Sequence, residues 1–349
     1  MTPRLLFHCA SRRGLGHVMR AANLARAVSA RDPRASVLVH VTNPAAGPAC
    51  GDVPWMAGGI DGPGAWARVV AAFRPTLTIF DTMLPDARVL DDAGARTAFV
   101  WRASVDARQS ATAADRRLSR MAAILVPHTA EEFATPIPAA VRARTVFTGP
   151  IVRASDAGGQ ARVRARYGLA ADDVLVTSTV GGGGFDDSAD WLHGLVVEAH
   201  QHWLRAVPGL RHVVVRGPLA PARVADVPPP LPGLTLVPSD PDLVHLLAIS
   251  TLVVAEAGYN TIQELRLAGT PAVLVPGPRT FDDQPGRARA MAALGVARVA
   301  DRTDRASALQ VLVDALRPEA LAAMRRASAR TPFTPGNDTA ARTLLAAAS

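Results

Sequence analysis

Three times in this chain a short apolar run ends in a glycine-bearing turn and passes directly into a stretch with helical spacing. Residues 4–9 lead through Gly14 and Gly16 into a helix ending near Ser29. Residues 173–180 lead through four consecutive glycines, 181–184, into residues 189–204. Residues 252–255 lead through Gly258 into a helical segment that precedes another apolar run at 271–275. Apolar runs alternating with helical stretches are the pattern of a parallel sheet covered by helices on both faces. Further runs at 36–41, 77–80, 97–100, 124–126 and 146–148 extend the first half, and runs at 212–216 and 234–237 extend the second.

The scheme restarts halfway, and 349 residues are more than one ordinary core accommodates. Two α/β domains are therefore expected, residues 1–150 and 151–331. Residues 149–166, with Pro150 and the pair Gly158 and Gly159, read as the linker. Residues 228–232 read as a proline-rich surface loop, and 44–64 as a Pro/Gly-rich loop carrying Trp55 and Met56. Residues 332–349 end the chain in an alanine-rich helix.

Composition narrows the chemistry. Hydrophobic residues make up 49% of the chain, enough for two filled cores, and no apolar run approaches the roughly 20 residues of a membrane span. Cys9 and Cys50 form no framework, which suits free thiols in a reducing cytoplasm. The formal charge of +8 rests on arginine alone, since the chain has no lysine. Those arginines are scattered among alanines, so a nucleic-acid interface is not expected, whereas contact with an anionic membrane surface stays open. Lacking lysine, the chain cannot build a Walker phosphate loop, a pyridoxal Schiff base or the strand lysine of a kinase.

Candidate site residues gather at the glycine turns. At Gly258 a strand's end meets a helix's start, where unpaired N–H groups and the helix dipole favour an anion. Thr261 and Glu264, three positions apart, have the ordinary structural reading of a capping box. Asp282, Asp283 and Gln284 follow in the next loop. In the first loop, SRRGLGHVMR, His17 stands at a helix start and suits a general base, with an ordinary packing histidine as the alternative. The four glycines imply close approach to the backbone, and a phosphate is the economical occupant. His193, His200 and His202 read as a partly exposed helix face. The acidic doublets lack the company that a metal site needs, so none is assigned.

The set GLGHVMR, TGPIVR at 148–153, the glycine loop, and AGYNTIQEL followed by PGPRTFDDQPGRA resembles family 28 glycosyltransferases of the GT-B fold, the group that includes the peptidoglycan N-acetylglucosaminyltransferase. The resemblance spans both halves in order. It implies two Rossmann-like domains facing each other across a cleft, the first for the acceptor and the second for a nucleotide-sugar donor. The C-terminal helix would pack back on the first domain.

Carried across, Glu264 would bond the ribose hydroxyls, and Gly258, Tyr259, Asn260 and Thr261 would receive the diphosphate. Arg153 would face that diphosphate. Asp283 and Gln284 would contact the sugar, and the base would lie against residues 237–243. Gly14, Gly16, Gly182, Gly183 and Gly184 would border the donor. His17 or Asp81 would be the base. Where the peptidoglycan enzyme has a serine and a glutamine in its loop, this chain has Gly183 and Gly184, which removes two donor contacts.

The implied reaction is a single inverting displacement needing no metal and no cofactor beyond the nucleotide sugar, with uridine diphosphate the expected carrier. The acceptor would be a hydroxyl of a small natural product or a cell-surface precursor. A nucleotide-sugar hydrolase, with water as acceptor, and a non-catalytic nucleotide-sugar binding protein are the alternatives.

Overall fold

A computed structural model describes residues 2–10, 14–59, 64–94, 96–220 and 231–349. The chain separates into two units, Met1–Val152 with Thr334–Ser349, and Arg153–Phe333. Residues 11–13 of the first glycine loop, 60–63 of the Pro/Gly-rich segment and 228–230 of the proline-rich stretch lie outside the described residues.

The first unit is a parallel sheet of β1 (Arg4–Cys9), β2 (Ser36–Val41), β3 (Trp55–Ala57), β4 (Leu77–Asp81), β5 (Arg96–Val100), β6 (Ala123–Val126) and β7 (Thr145–Phe147). Its strand order is β3-β2-β1-β4-β5-β6-β7. Alternation along β1 feeds two cores. Leu5, Phe7 and Cys9 join Val18, Ala21 and Leu24 of the helix Gly16–Arg31, together with Ala340 and Leu344 of the helix Asn337–Ala348. Leu6 on the opposite face joins Phe80, Phe99, Trp66 and Trp101. The C-terminal segment is fastened where it rejoins this unit. Asn337 bonds both the N–H and the carbonyl of Val152, at 3.1 and 2.9 Å. A Cβ on Gly336 would lie 2.2 Å from the Thr148 carbonyl oxygen, so no larger residue fits there unchanged.

The second unit is a parallel sheet of β8 (Leu175–Thr179), β9 (Arg211–Val215), β10 (Leu234–Val237), β11 (Leu252–Ala255), β12 (Ala272–Leu274) and β13 (Ala297–Val299), in the order β10-β9-β8-β11-β12-β13. In each sheet the strand order reverses beside the first strand, between β1 and β4 and between β8 and β11. Such a switch point leaves a crevice at the strands' carboxyl ends, where open α/β sheets bind ligands.

Several sequence expectations need correction. Trp55 and Met56 lie in the edge strand β3, paired with His40 and neighbours on β2, and not in a plain loop. The Trp55 ring packs so tightly over Gly47 that a Cβ there would come within 2.2 Å of it. Most of the linker stretch is the helix Ala157–Tyr167, because Asp156 caps it by accepting from the Gly159 N–H at 2.8 Å. Gly159 is glycine for packing, since a Cβ would lie 2.2 Å from the His245 ring. His200 is buried and its Nε2–H donates to the Pro232 carbonyl at 2.9 Å, so it belongs to the core of the second unit. Among the described residues no helix is long and apolar enough to cross a membrane.

Candidate active site

In the first unit the register of β1 against β4 brings the helix that follows β1 to the end of β4. His17, in the first turn of that helix, lies with Nδ1 2.6 Å from Asp81 Oδ1. Arg20, one turn further and 1% exposed, donates from Nε to Asp81 Oδ2 at 2.8 Å and from Nη2 to Oδ1. The Thr82 hydroxyl also donates to Oδ1, at 2.7 Å. Burial alone would push the Asp81 carboxyl up, but the Arg20 guanidinium and His17 outweigh it and hold the group well below the usual carboxylate range. Asp81 therefore stays ionised and is a poor base. Its geometry suits orienting the imidazole, with the proton on Nδ1 and Nε2 left to accept another. Exposure divides the roles in the same way, since the His17 side chain is 25% exposed and that of Asp81 3%. A Cβ on Gly14 or Gly16 would meet open space.

In the second unit β11 ends at Ala255, and the helix Tyr259–Ala268 begins after Gly258. Gly258, which has no side chain to cap with, is the N-cap, so the alternative reading of Thr261 and Glu264 as a capping box does not hold. Thr261 is the third helical residue and Glu264 lies mid-helix, because the extended backbone of Gly258 starts the helix one turn too early for that pairing. Glu264 is buried, and burial pushes its carboxyl up to about 8 although Arg153 pulls it down. Arg153 donates to the Pro241 carbonyl at 3.4 Å and lies 3.4 Å from His245 Nε2. Arg153 and the 237–243 loop are thus joined, with Glu264 within reach of the same charge. The Tyr259 ring is buried, while Asn260 and Thr261 are half-buried. Asp283 is exposed and caps the helix Gln284–Ala293 by accepting from Gly286 N–H at 2.8 Å. Gln284 is buried, its Oε1 accepting from Gly277 N–H at 2.8 Å.

The four glycines have a partly internal explanation. Gly181 and Gly183 have φ of 71° and 78°, the left-handed region. A Cβ on Gly183 would lie 2.6 Å from the Arg216 carbonyl oxygen, so the close neighbour there is the turn after β9. The Gly182 carbonyl accepts from Leu219 N–H at 2.9 Å. Gly181 borders open space, and Gly182 and Gly184 are half-buried.

Sequence reasoning missed a buried ionic cluster at the same sheet edge. Glu256, directly after β11, accepts from Ser188, Arg279 and Arg302, the last at 2.9 Å. Arg302 also donates to the carbonyls of Pro276 and Ser188, both at 2.9 Å, and Arg279 stacks 3.8 Å over the Phe185 ring. The segments following β8, β11, β12 and β13 are tied together through one carboxylate. Its partners are scattered through the sequence at no fixed spacing, so no local signal announces it. Arg20 was findable, three residues after His17 on the same helix face.

Residues 227–340 match the model of the glycosyltransferase family 28 C-terminal domain. The UDP-N-acetylglucosamine–N-acetylmuramyl-(pentapeptide) pyrophosphoryl-undecaprenol N-acetylglucosamine transferase of Corynebacterium efficiens is 32% identical over 150 residues, 43% of this chain and 38% of that enzyme. The enzyme of the same name from Rhizobium leguminosarum bv. trifolii is 35% identical over 101 residues, 29% of this chain and 24% of its own length. The chain thus matches well under half the length of these curated relatives. The fold likeness runs further. The spinosyn rhamnosyltransferase SpnG superposes with a TM-score of 0.62 at 17% identity, covering 98% of this chain and 100% of that one. Together with the two Rossmann-type sheets, this is the GT-B fold.

Proposed function

Because the chain carries a glycosyltransferase family 28 C-terminal domain within a GT-B fold, we propose that it transfers a sugar from a nucleoside diphosphate sugar to an acceptor hydroxyl, with inversion at the anomeric carbon. In this reading the second unit holds the donor. Glu264 meets the ribose hydroxyls, and the helix start at Gly258, Tyr259, Asn260 and Thr261 receives the diphosphate. Arg153 adds positive charge, the base rests on residues 237–243, and Gly182, Gly184, Asp283 and Gln284 border the sugar. Uridine diphosphate is the expected carrier.

The first unit activates the acceptor. His17 Nε2 takes the hydroxyl proton as the acceptor oxygen bonds to the anomeric carbon, and the carbon–oxygen bond to the diphosphate breaks. Asp81 holds the imidazole and stabilises the imidazolium. The helix N-terminus and Arg153 meet the charge on the departing diphosphate. No further cofactor enters this scheme. The acceptor is a small natural product or a cell-surface precursor, and the reaction belongs in the cytoplasm.

The match of residues 227–340 to the family's C-terminal domain carries this reading. Its test is nucleotide release from a panel of donors, with and without hydroxyl acceptors. Release should depend on acceptor, and His17→Ala should lower turnover by about 10² to 10⁴-fold while donor affinity holds. Release from donor alone at the full rate would instead identify a hydrolase. Binding with no release, unchanged by His17→Ala, would identify a binding protein.

A further inference from the structure

Among the described residues two that are not glycine have positive φ, Arg74 at 50° and Thr82 at 62°. Arg74 closes the helix Ala65–Phe73, where this conformation is ordinary. Thr82 closes no helix. It follows Asp81 at the end of β4, is buried, and the next residue, Met83, donates its N–H back to the Asp81 carbonyl at 2.8 Å. A positive φ beneath a bond between residues two apart is the rare, strained form of γ-turn. A β-branched side chain is poorly suited to it.

Strain of this kind persists only where the surroundings hold it. Here the Thr82 N–H donates to the Val100 carbonyl at 2.9 Å, and its hydroxyl accepts from Arg20 Nη2 at 2.8 Å while donating to Asp81 Oδ1 at 2.7 Å. Asp81 Oδ1 consequently receives three donors, from His17, Arg20 and Thr82. Each donor on that oxygen draws negative charge away from the other two.

We propose that Thr82 is a positioning residue for His17: held by the strained turn, its hydroxyl shares Asp81 Oδ1 with the imidazole and limits how strongly Asp81 stabilises the imidazolium. The role rests on the reading of His17 as the acceptor's base. It leaves His17 oriented by Asp81 through Nδ1. Among the described residues, the charged groups that meet the imidazole are Asp81 from β4 and Arg20 from the same helix, while Cys9 from β1 meets the His17 main chain, its Sγ 3.6 Å from the carbonyl oxygen. Removing the Thr82 hydroxyl leaves the buried Arg20–Asp81 ion pair and the His17 bond in place.

The test is the titration of His17, followed by long-range ¹H–¹⁵N spectra of histidine-labelled protein, its signal assigned with His17→Gln. Thr82→Val removes the hydroxyl and keeps the branching. Thr82→Gly removes the hydroxyl and also relieves the turn, so it provides a folded comparison should the valine variant misfold. Thr82→Ser keeps the hydroxyl. The midpoint should rise by about half a pH unit in the valine and glycine variants and stay at the parent value in the serine variant. The acid limb of the nucleotide-release profile should move the same way. Titration of Thr82→Gly with the parent would overturn the proposal. The spectra need no turnover, so the outcome stands apart from whether sugar transfer itself is found.

Discussion

At the scale of single residues, what separates the candidate base from its neighbours is access. His17 is partly exposed, whereas Asp81 and Arg20 are buried against each other. His17 and Asp81 were legible in the sequence, because a histidine in a glycine-bearing loop after one strand and an aspartate closing another both fall at a carboxyl sheet edge. Thr82 was not legible, since nothing in the letters around it signals a positive φ. Glu264 was legible as a candidate residue, and the capping box that was its structural alternative does not form, because the spacing Thr-x-x-Glu is blind to where the helix begins. Its burial yields a signed prediction. With its carboxyl pushed from 4.5 to about 8, the native state holds a proton that the unfolded state has released between those values. Stability must therefore fall as pH rises through that window and level off above it. Glu264→Gln, which has no proton to lose, should be free of that fall. Urea midpoints of parent and variant should diverge in the variant's favour from about pH 5 to about pH 9.

At the scale of elements, close backbone approach decides more than side-chain chemistry. The strands of four or more residues were readable from their apolar runs. Of the three-residue strands, β7 and β12 were readable in the same way, whereas β3 and β13 were not, one lying in a Pro/Gly-rich stretch and the other carrying an arginine at its centre. Composition alone assigned the four glycines to a ligand, whereas Gly183 answers to the turn after β9. The return of the C-terminal segment depends on a similar approach at Gly336. Gly336→Ala should push the helix Asn337–Ala348 from its seat, uncovering Ala340 and Leu344. Burial of one leucine is worth about 1.5–3 kcal/mol, so a loss of that order is expected in chemical denaturation. Amide exchange should accelerate first in the helices Gly16–Arg31 and Asn337–Ala348. Unchanged exchange there would mean that the segment is not needed to cover the first unit.

At the scale of the whole molecule, each unit repeats one plan, a parallel sheet whose order reverses beside its first strand, with candidate residues at that reversal. The plan follows from alternating apolar and helical stretches, so the fold class was readable while the buried polar clusters were not. Buried histidines add a pH dependence on the acid side. Burial pushes His8 down to about 3, His40 to about 4 and His212 to about 3, from 6.5. Between those values and 6.5 the unfolded chain binds more protons than the native one, so stability falls as pH falls through that window. His212→Gln removes one such proton and should flatten the decline between about pH 6 and pH 4 by up to ~1.4 kcal/mol per pH unit. An unaltered slope would show that His212 is not titrating on unfolding.

Donor recognition is the claim on which the functional account turns, and nucleotide binding tests it most directly. Thermal unfolding of the parent and of Glu264→Gln can be followed with the diphosphates of uridine, thymidine, guanosine and adenosine and with their sugars. A ligand at about 100 times its Kd adds ~2.7 kcal/mol of stability, which is readily seen. The account predicts that one nucleotide class, uridine expected first, raises the midpoint of the parent and raises that of Glu264→Gln markedly less. No shift with any of them at millimolar concentration, or an equal shift in both proteins, would contradict it.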